Sequence, residues 1–210
     1  MVQEALAEAW EIMHIYFIRH GQTTGDIEDR YGGDYDDHLT ERGRSQAEEL
    51  AEKLKDKGIE AVLSSPLLRA RETAEILAKR FGCAVTVKQH LKERSMYGAL
   101  TGMKREEAKK LYPELVELVK NRMNTLPGAE MYEAFSNRIQ LVVREMTKDI
   151  RYECIAVVFH GGPVKVLFRD VLKKGEIGDV ADCGFAEIET EQNAFKVKVL
   201  EGIIMQNDGK

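Results

Sequence analysis

The stretch HIYFIRHGQT, residues 14–23, decides the fold of this chain. Its first five residues, HIYFI, are rich in β-branched and aromatic types, and Gly21 and a polar segment follow soon after. A short apolar run that ends in this way predicts a buried strand leading into a loop. The strand is therefore expected to deliver Arg19 and His20 to one edge of a sheet.

Signals for helices and strands alternate through the rest of the sequence. Thr40 is expected to cap an amphipathic helix that Gly58 stops. Pro66 is expected in the first turn of a second helix, which runs to Gly82. Further helices are predicted over about residues 105–121 and 130–149 and from Pro163 onward. Further strands are predicted at AVLSS, AVTV, CIAVVF (residues 154–159), FAEIE and FKVKVL.

This alternation predicts an α/β fold, a three-layer sandwich whose mostly parallel sheet has helices on both faces. In such sheets, ligands bind beyond the carboxyl ends of the strands. Three polar clusters fall at those ends: RHG at residues 19–21, SSP at residues 64–66 running on to Arg69, and HGG at residues 160–162. The sequence therefore places a functional site at this edge of the sheet.

Length and composition indicate one domain. The chain has 210 residues, of which 43% are apolar, and this is enough for a sizeable core. We assign residues 13–210 to the domain and residues 1–12 to an N-terminal extension, expected to be an amphipathic helix.

Charge, hydropathy and cysteine spacing exclude several classes of function. The net charge is −5 and the basic residues are scattered, so no nucleic-acid partner is predicted. No apolar stretch reaches the roughly 20 residues that span a bilayer, and the first residues carry acids where a secretory signal carries bases. A cytoplasmic protein without a membrane partner is expected. Cys83, Cys154 and Cys183 lie far apart, which favours reduced buried thiols over a zinc site or disulfides.

Six ordered sequence blocks resemble the histidine phosphatase superfamily, the branch that includes cofactor-dependent phosphoglycerate mutases and their phosphatase relatives. The resemblance covers nearly everything after Met13 and implies a phosphoglycerate mutase-like fold. The blocks are RHGQT (19–23), LTERGRSQA (39–47), SSPLLRARETA (64–74), LKER (91–94) leading to YGALTG, PGAE (127–130) and FHGG (159–162).

The residue types in these blocks suit phosphoryl transfer. Arg19 and Arg69 offer planar forks for phosphate oxygens, and His160 is expected to donate to the same oxygens. His20 is the predicted nucleophile, because a neutral imidazole can attack phosphorus and form a phosphohistidine. These groups balance the phosphate charge, so no metal and no cofactor are predicted. A metal-binding role for the histidines is weaker, since no usual ligand spacing accompanies them.

The resemblance assigns the general acid to Glu93, which would also serve as base when water attacks the intermediate. The spacing from Glu93 to Gly98 is one residue longer than the family pattern, so either the loop bulges there or Glu93 is not the acid. Thr23, Asp26 and Gly161 are further predicted contacts of the phosphate. Asp26 stands where the family usually has asparagine, and its charge would oppose the phosphate unless it is turned away, protonated or paired with an arginine such as Arg30.

The predicted reaction is hydrolysis of a small phosphorylated metabolite, with two alternatives. The resemblance implies that mutases carry a long insertion with paired arginines at the entrance, whereas only about two dozen residues, helical in pattern, separate Lys104 from Pro127. A phosphoglycerate mutase is therefore the second choice. The third is a phosphate-binding module with weakened catalysis, to which Asp26 and the lengthened acid loop point. The substrate and the oligomeric state, a homodimer included, stay open.

Overall fold

The computed structural model describes residues 12–148, 151–191 and 194–206. The N-terminal helix expected over residues 1–12 lies outside these ranges, apart from Ile12.

Strands and helices alternate along the first three quarters of the chain, and a long hairpin closes it. The strands are β1 (Met13–Arg19), β2 (Ala61–Ser64), β3 (Ala84–Val87), β4 (Cys154–Phe159), β5 (Ile177–Glu191) and β6 (Ala194–Met205). The helices are α1 (Thr24–Ile27), α2 (Glu41–Leu54), α3 (Leu68–Phe81), α4 (Arg105–Leu111), α5 (Pro113–Leu118), α6 (Tyr132–Met146) and α7 (Gly161–Val166). Short 3₁₀ turns span Gln89–Leu91 and Gly98–Leu100, and a π-helical turn, Leu167–Val171, extends α7.

Within the described residues, the strands form one six-stranded sheet in the order β3-β2-β4-β1-β5-β6. The neighbours from β3 to β1 pair in parallel, and β5 and β6 add antiparallel pairs. The predicted mostly parallel α/β sheet is confirmed.

The two faces of the sheet bury different side chains of β1, because successive residues of a strand point to opposite faces. Ile15 and Phe17 pack in the cluster that includes the buried residues of α6 and α7. Tyr16 and Ile18 pack in the cluster that includes the buried residues of α2 and α3. Helices therefore cover both faces, as the alternation predicts.

Several predicted boundaries are wrong. Pro66 precedes α3 rather than lying in its first turn, because α3 begins at Leu68. The helix expected over residues 105–121 is broken at Tyr112, since Pro113 lacks an N–H and disfavours helical geometry in the residue before it. The helix expected over residues 130–149 is the shorter α6. The two last strands are longer than FAEIE and FKVKVL, because they pair with each other as a hairpin.

The sheet topology brings the predicted site residues together. β4 lies between β2 and β1, so the carboxyl ends of these three strands are neighbours. Arg19 is paired in register with Phe159, which places His20 and His160 side by side just beyond the sheet. Ser65, the residue after β2, lies at the same edge of the sheet.

Candidate active site

A cavity of about 400 Å³ opens at the carboxyl edge of the sheet. Among the predicted site residues, the cavity is lined by Arg19, His20, Thr23, Asp26, Arg69, Glu93 and Gly161. His160 lies against the His20 ring, with 5.1 Å between the ring centroids, and its side chain is nearly inaccessible to solvent. The structure thus brings together all the side chains that the sequence singles out.

The hydrogen bonds of His20 select one tautomer. Nδ1 lies 2.8 Å from the carbonyl oxygen of Gly21, and a carbonyl only accepts, so Nδ1 carries the proton. Nε2 lies 3.1 Å from Nε of Arg69, which only donates, so Nε2 holds a lone pair. The neutral ring therefore has its unprotonated nitrogen on the side of Arg69.

Burial keeps His20 uncharged. Its pKa lies well below the ordinary value of 6.5, first because the ring is buried and then because Arg69 and Arg19 repel a positive charge. At neutral pH the ring is the free base, which is the form that can attack phosphorus.

The loop that follows His20 is pressed against the start of α2. A Cβ at Gly21 would overlap the carbonyl oxygen of Gly43, and a Cβ at Gly43 would overlap that of Gln22. The amide of Gly21 donates to Oγ1 of Thr73 at 3.2 Å. Glycine is therefore required at both positions for the two backbones to approach.

Arg69 reaches the site from the first turn of α3 and is held by a network that the sequence does not reveal. Its Nη1 donates to Asp37 Oδ1 at 2.9 Å and to the Tyr35 carbonyl at 2.6 Å, and its Nη2 donates to the Gly33 carbonyl at 2.8 Å. Both Arg69 and Asp37 are buried. Asp37 is thus a positioning residue that spacing alone could not identify, because the contact depends on how residues 33–37 pack against the start of α3.

Arg19 approaches the cavity from the end of β1 and is anchored by β5. Its Nη1 donates to the Val180 carbonyl, and its Nη2 lies 3.3 Å from Oδ1 of Asp182. Burial raises the pKa of Asp182, which also lies near Asp26. Asp182 could not be predicted as a partner of Arg19, since nothing in its local sequence indicates the contact.

His160 has one ring nitrogen with a partner and one without. Nε2 lies 2.7 Å from Oγ of Ser65, whereas Nδ1 is buried and has no hydrogen-bond partner among the described residues. Burial, followed by Arg69 and His20, lowers the pKa of this ring well below 6.5. A buried polar atom without a partner is costly, so an acceptor brought to Nδ1 would be stabilising.

Thr23 and Asp26 bind each other at the start of α1. The Thr23 hydroxyl and amide both lie 2.9 Å from Asp26 Oδ2, and the Asp26 amide donates back to Thr23 Oγ1 at 3.1 Å. This is a capping box. The pairing of Asp26 with Arg30 that we considered is not observed, because Arg30 binds Glu28 instead. The Asp26 carboxylate is turned into its own helix cap.

Glu93 reaches the cavity despite the extra residue in its loop. Its Oε2 accepts from the Gly162 amide at 2.9 Å, and its Oε1 accepts from the Arg94 amide at 2.7 Å. The predicted bulge is a tight turn in which the Met96 amide donates to the Arg94 carbonyl at 2.9 Å. Glu93 lies next to the helix that begins after His160.

The rest of the cavity lining contains many cationic and aromatic side chains. The arginine, lysine and tyrosine residues there are Arg30, Arg94, Tyr97, Arg105, Arg122, Tyr132, Lys165 and Arg169. Most of these cations have partners: for example, Arg122 and Arg169 share Glu176, at 2.8 and 3.5 Å. Cationic side chains in the lining favour the binding of an anionic group.

Two features are absent from the described residues. No group of three or more histidine, cysteine, aspartate or glutamate side chains in these ranges is arranged to hold a metal ion. No helix in the same ranges is long and apolar enough to cross a membrane.

Comparison with known proteins yields one family and many relatives. The family model for the histidine phosphatase superfamily (branch 1) matches residues 15–201. Phosphoglycerate mutase-like protein 4 of Arabidopsis thaliana is 32% identical over 78% of this chain and 73% of its own length. The metal-independent phosphoserine phosphatase of the same plant is 31% identical over 80% of this chain and 72% of its own. The solved alpha-ribazole phosphatase of Shigella flexneri is similar in fold, with a TM-score of 0.80 at 23% identity over 94% of this chain and all of that one.

Proposed function

The chain belongs to the histidine phosphatase superfamily, and from that premise we propose that it hydrolyses phosphomonoesters through a phosphohistidine formed on His20. The observation that carries the proposal is the state of this ring: buried, neutral, and held with the Nε2 lone pair beside Arg69. A nucleophile needs that lone pair, and a phosphate needs the neighbouring charge.

The first step transfers the phosphoryl group to the enzyme. The phosphate takes over the Nε hydrogen bond of Arg69 and so frees the lone pair of His20 Nε2. Nε2 attacks phosphorus, the ester P–O bond breaks, and protonated Glu93 gives its proton to the leaving oxygen. Nδ1 of His160, which has no partner in the described residues, donates to a phosphate oxygen. Arg19 and Arg69 stabilise the charge that develops on these oxygens.

The second step returns the enzyme to its starting state. Water attacks the phosphohistidine and gives a proton to ionised Glu93, and the N–P bond breaks. Inorganic phosphate leaves, and His20 regains its lone pair. The same carboxyl group acts first as acid and then as base.

Hydrolysis is favoured over mutase action by the segment between Lys104 and Pro127. Its helices are α4 and α5, of 7 and 6 residues. Buried Ala108 and Val116 pack in a small cluster with Tyr31, Leu100 and Leu126. We infer that this short segment leaves water access to the phosphohistidine. A mutase has to keep water out while a second hydroxyl takes the phosphoryl group.

We propose that the substrate is a small phosphorylated metabolite, since a cavity of about 400 Å³ holds a molecule of that size. We also place the enzyme in the cytoplasm. The three cysteines are free thiols, which suits a reducing compartment.

The covalent intermediate can be tested by trapping. The enzyme is mixed with a ³²P-labelled phosphomonoester, quenched in alkali to preserve phosphohistidine, and digested, and the labelled peptide is identified. We expect label on His20 and none in His20→Asn. Label that persists in His20→Asn would exclude the proposed intermediate.

Hydrolysis and mutase action are separated with 3-phosphoglycerate, given with and without a bisphosphoglycerate primer. We expect phosphate release from a panel of phosphomonoesters and no dependence on the primer. Formation of 2-phosphoglycerate that needs the primer and outpaces phosphate release would make the chain a mutase.

A further inference from the structure

Arg138 lies on α6, and every N–H of its guanidinium donates a hydrogen bond. The acceptors are carbonyl oxygens of the segment that carries Glu93 and the carboxylate of Glu130. Nη1 donates to the carbonyls of His90 and Lys92 at 2.9 and 2.6 Å, and Nη2 donates to the Glu93 carbonyl at 3.1 Å. Nε and Nη2 bind the two oxygens of Glu130 at 2.7 and 2.8 Å. An arginine has five such donors, and all are engaged.

The segment around Glu93 depends on side-chain contacts of this kind. It follows the 3₁₀ turn Gln89–Leu91 and belongs to none of the described strands, so a sheet ladder does not fix its carbonyls. Arg94 adds further contacts, donating to the carbonyls of Arg122, Asn124 and Glu130. The Glu130 amide in turn donates to the Ser95 carbonyl at 2.6 Å. The irregular backbone is therefore held by two arginines, Arg94 within the segment and Arg138 on α6.

Arg138 does not line the cavity, whereas its neighbour Phe135, whose ring lies 4.9 Å from the Arg138 guanidinium carbon, does. An effect of Arg138 on the reaction must therefore pass through the backbone it holds. A displacement of about 1 Å in a reacting group costs on the order of 100-fold in rate.

We propose that Arg138 is a positioning residue for the general acid: its hydrogen bonds to the carbonyls of residues 90, 92 and 93 hold Glu93 against the Gly162 amide and over the phosphate. This inference rests on the proposed function, because it takes Glu93 as the proton donor to the leaving group. Glu130 completes the arrangement by fixing the guanidinium in its plane.

The dependence on the leaving group distinguishes positioning of the acid from a general structural role. p-Nitrophenolate departs without a proton, whereas the alkoxide of an alkyl phosphate needs one. The parameter to compare is kcat/KM, which covers the steps up to phosphorylation of His20. The variants are Arg138→Met, Arg138→Lys, Glu93→Gln and the double variant Glu93→Gln/Arg138→Met. Arg144→Met, at an exposed position of the same helix, is the matched control.

For Arg138→Met we expect kcat/KM to fall about 30-fold on glycerol phosphate and less than about threefold on p-nitrophenyl phosphate. Arg138→Lys should recover part of the loss, and Arg144→Met should match the wild type on both substrates. In the Glu93→Gln background, Arg138→Met should cause no further loss. Equal losses on the two substrates, or losses that multiply in the double variant, would overturn the proposal.

Two controls keep the outcomes distinct. If Arg138→Met does not fold, Glu130→Gln loosens the same guanidinium and is expected to show the same selective loss in a smaller degree; the absence of any selectivity would count against the proposal. If Glu93→Gln itself shows no leaving-group dependence, Glu93 is not the acid and the positioning proposal is wrong. Labelling of His20 in the wild type is measured separately. It tests the phosphohistidine intermediate independently of both results.

Discussion

His20 and Glu93 reach the same cavity from two different parts of the fold. His20 follows a strand paired on both sides, and its main-chain amide donates to the Phe159 carbonyl at 3.2 Å. Glu93 lies in an irregular segment whose carbonyls are held by Arg138. The proposed nucleophile is thus positioned by the sheet, whereas the proposed general acid is positioned by side chains. Changes to the two regions should therefore have different signatures.

The largest effect is expected at the nucleophile. His20→Asn removes the attacking nitrogen while filling similar space, so kcat should fall at least about 10⁴-fold on every phosphomonoester. Initial-rate measurements with p-nitrophenyl phosphate and glycerol phosphate test this expectation. A loss confined to glycerol phosphate would contradict it, because that pattern belongs to the acid.

Asp37→Ala removes the carboxylate that holds Arg69 beside His20. It leaves Arg69 buried without its carboxylate, so the free energy of unfolding should fall by about 3 kcal/mol. Added inorganic phosphate should restore more stability to this variant than to the wild type, because the anion supplies the missing charge. Urea denaturation with and without phosphate measures both quantities. Glu106→Ala, which breaks an exposed pair with Lys110, should cost less than about 1 kcal/mol and show no such difference.

Gly162→Ala is expected to move the Glu93 carboxylate while leaving the residue itself unchanged. The added Cβ would overlap Glu93 Oε1, and the flexible carboxylate is expected to rotate away while the fold is kept. We expect kcat/KM to fall about 10-fold for glycerol phosphate and to change little for p-nitrophenyl phosphate. Gly178→Ala, whose Cβ would make ordinary contacts, is the control. An unchanged rate on glycerol phosphate would mean that this contact does not position the acid.

The last prediction concerns the pH dependence of stability. The pKa values of His20 and His160 are both lowered, so the unfolded chain takes up protons below about pH 6.5 while the folded chain does not. Stability is thus greatest above pH 6.5 and falls as the pH decreases, by up to about 1.4 kcal/mol per pH unit for each ring. Urea denaturation between pH 7.5 and 5 measures the slope. His160→Gln should reduce the slope by the contribution of one ring, up to about 1.4 kcal/mol per pH unit. An unchanged slope would show that folding does not lower the pKa of the His160 ring.

The contrast between the two regions also explains what the sequence could predict. β1 and β4 are apolar runs that end in His20 and His160, and the pairing of parallel strands brings such ends together, so the phosphate site followed from strand signals and motif positions. Asp37, Asp182 and Arg138 were missed because their contacts depend on loop and helix packing over long sequence distances. Pro113, by contrast, does indicate the helix break after α4, because proline disfavours helical geometry in the residue before it.

The capping box at Asp26 shows why a family pattern gives position more readily than orientation. Asp26 lines the cavity, as expected from the resemblance, yet its carboxylate binds the Thr23 hydroxyl and amide. The Thr23 hydroxyl, expected to contact phosphate, is engaged in the same cap. The Asp26 carboxylate is thus stabilised by local hydrogen bonds, which keep it in the cap at the start of α1.

The contact between Gly21 and Gly43 has a consequence for mutational scanning. Neither residue has a side chain to lose, and a scan that truncates side chains would pass over both. Adding one methyl group at Gly43 would push the first turn of α2 away from the loop that holds the nucleophile. Gly43, at the start of α2, should therefore be among the positions of the enzyme that tolerate substitution least. The cause is the Cβ atom that any substitution adds and that the native glycine lacks.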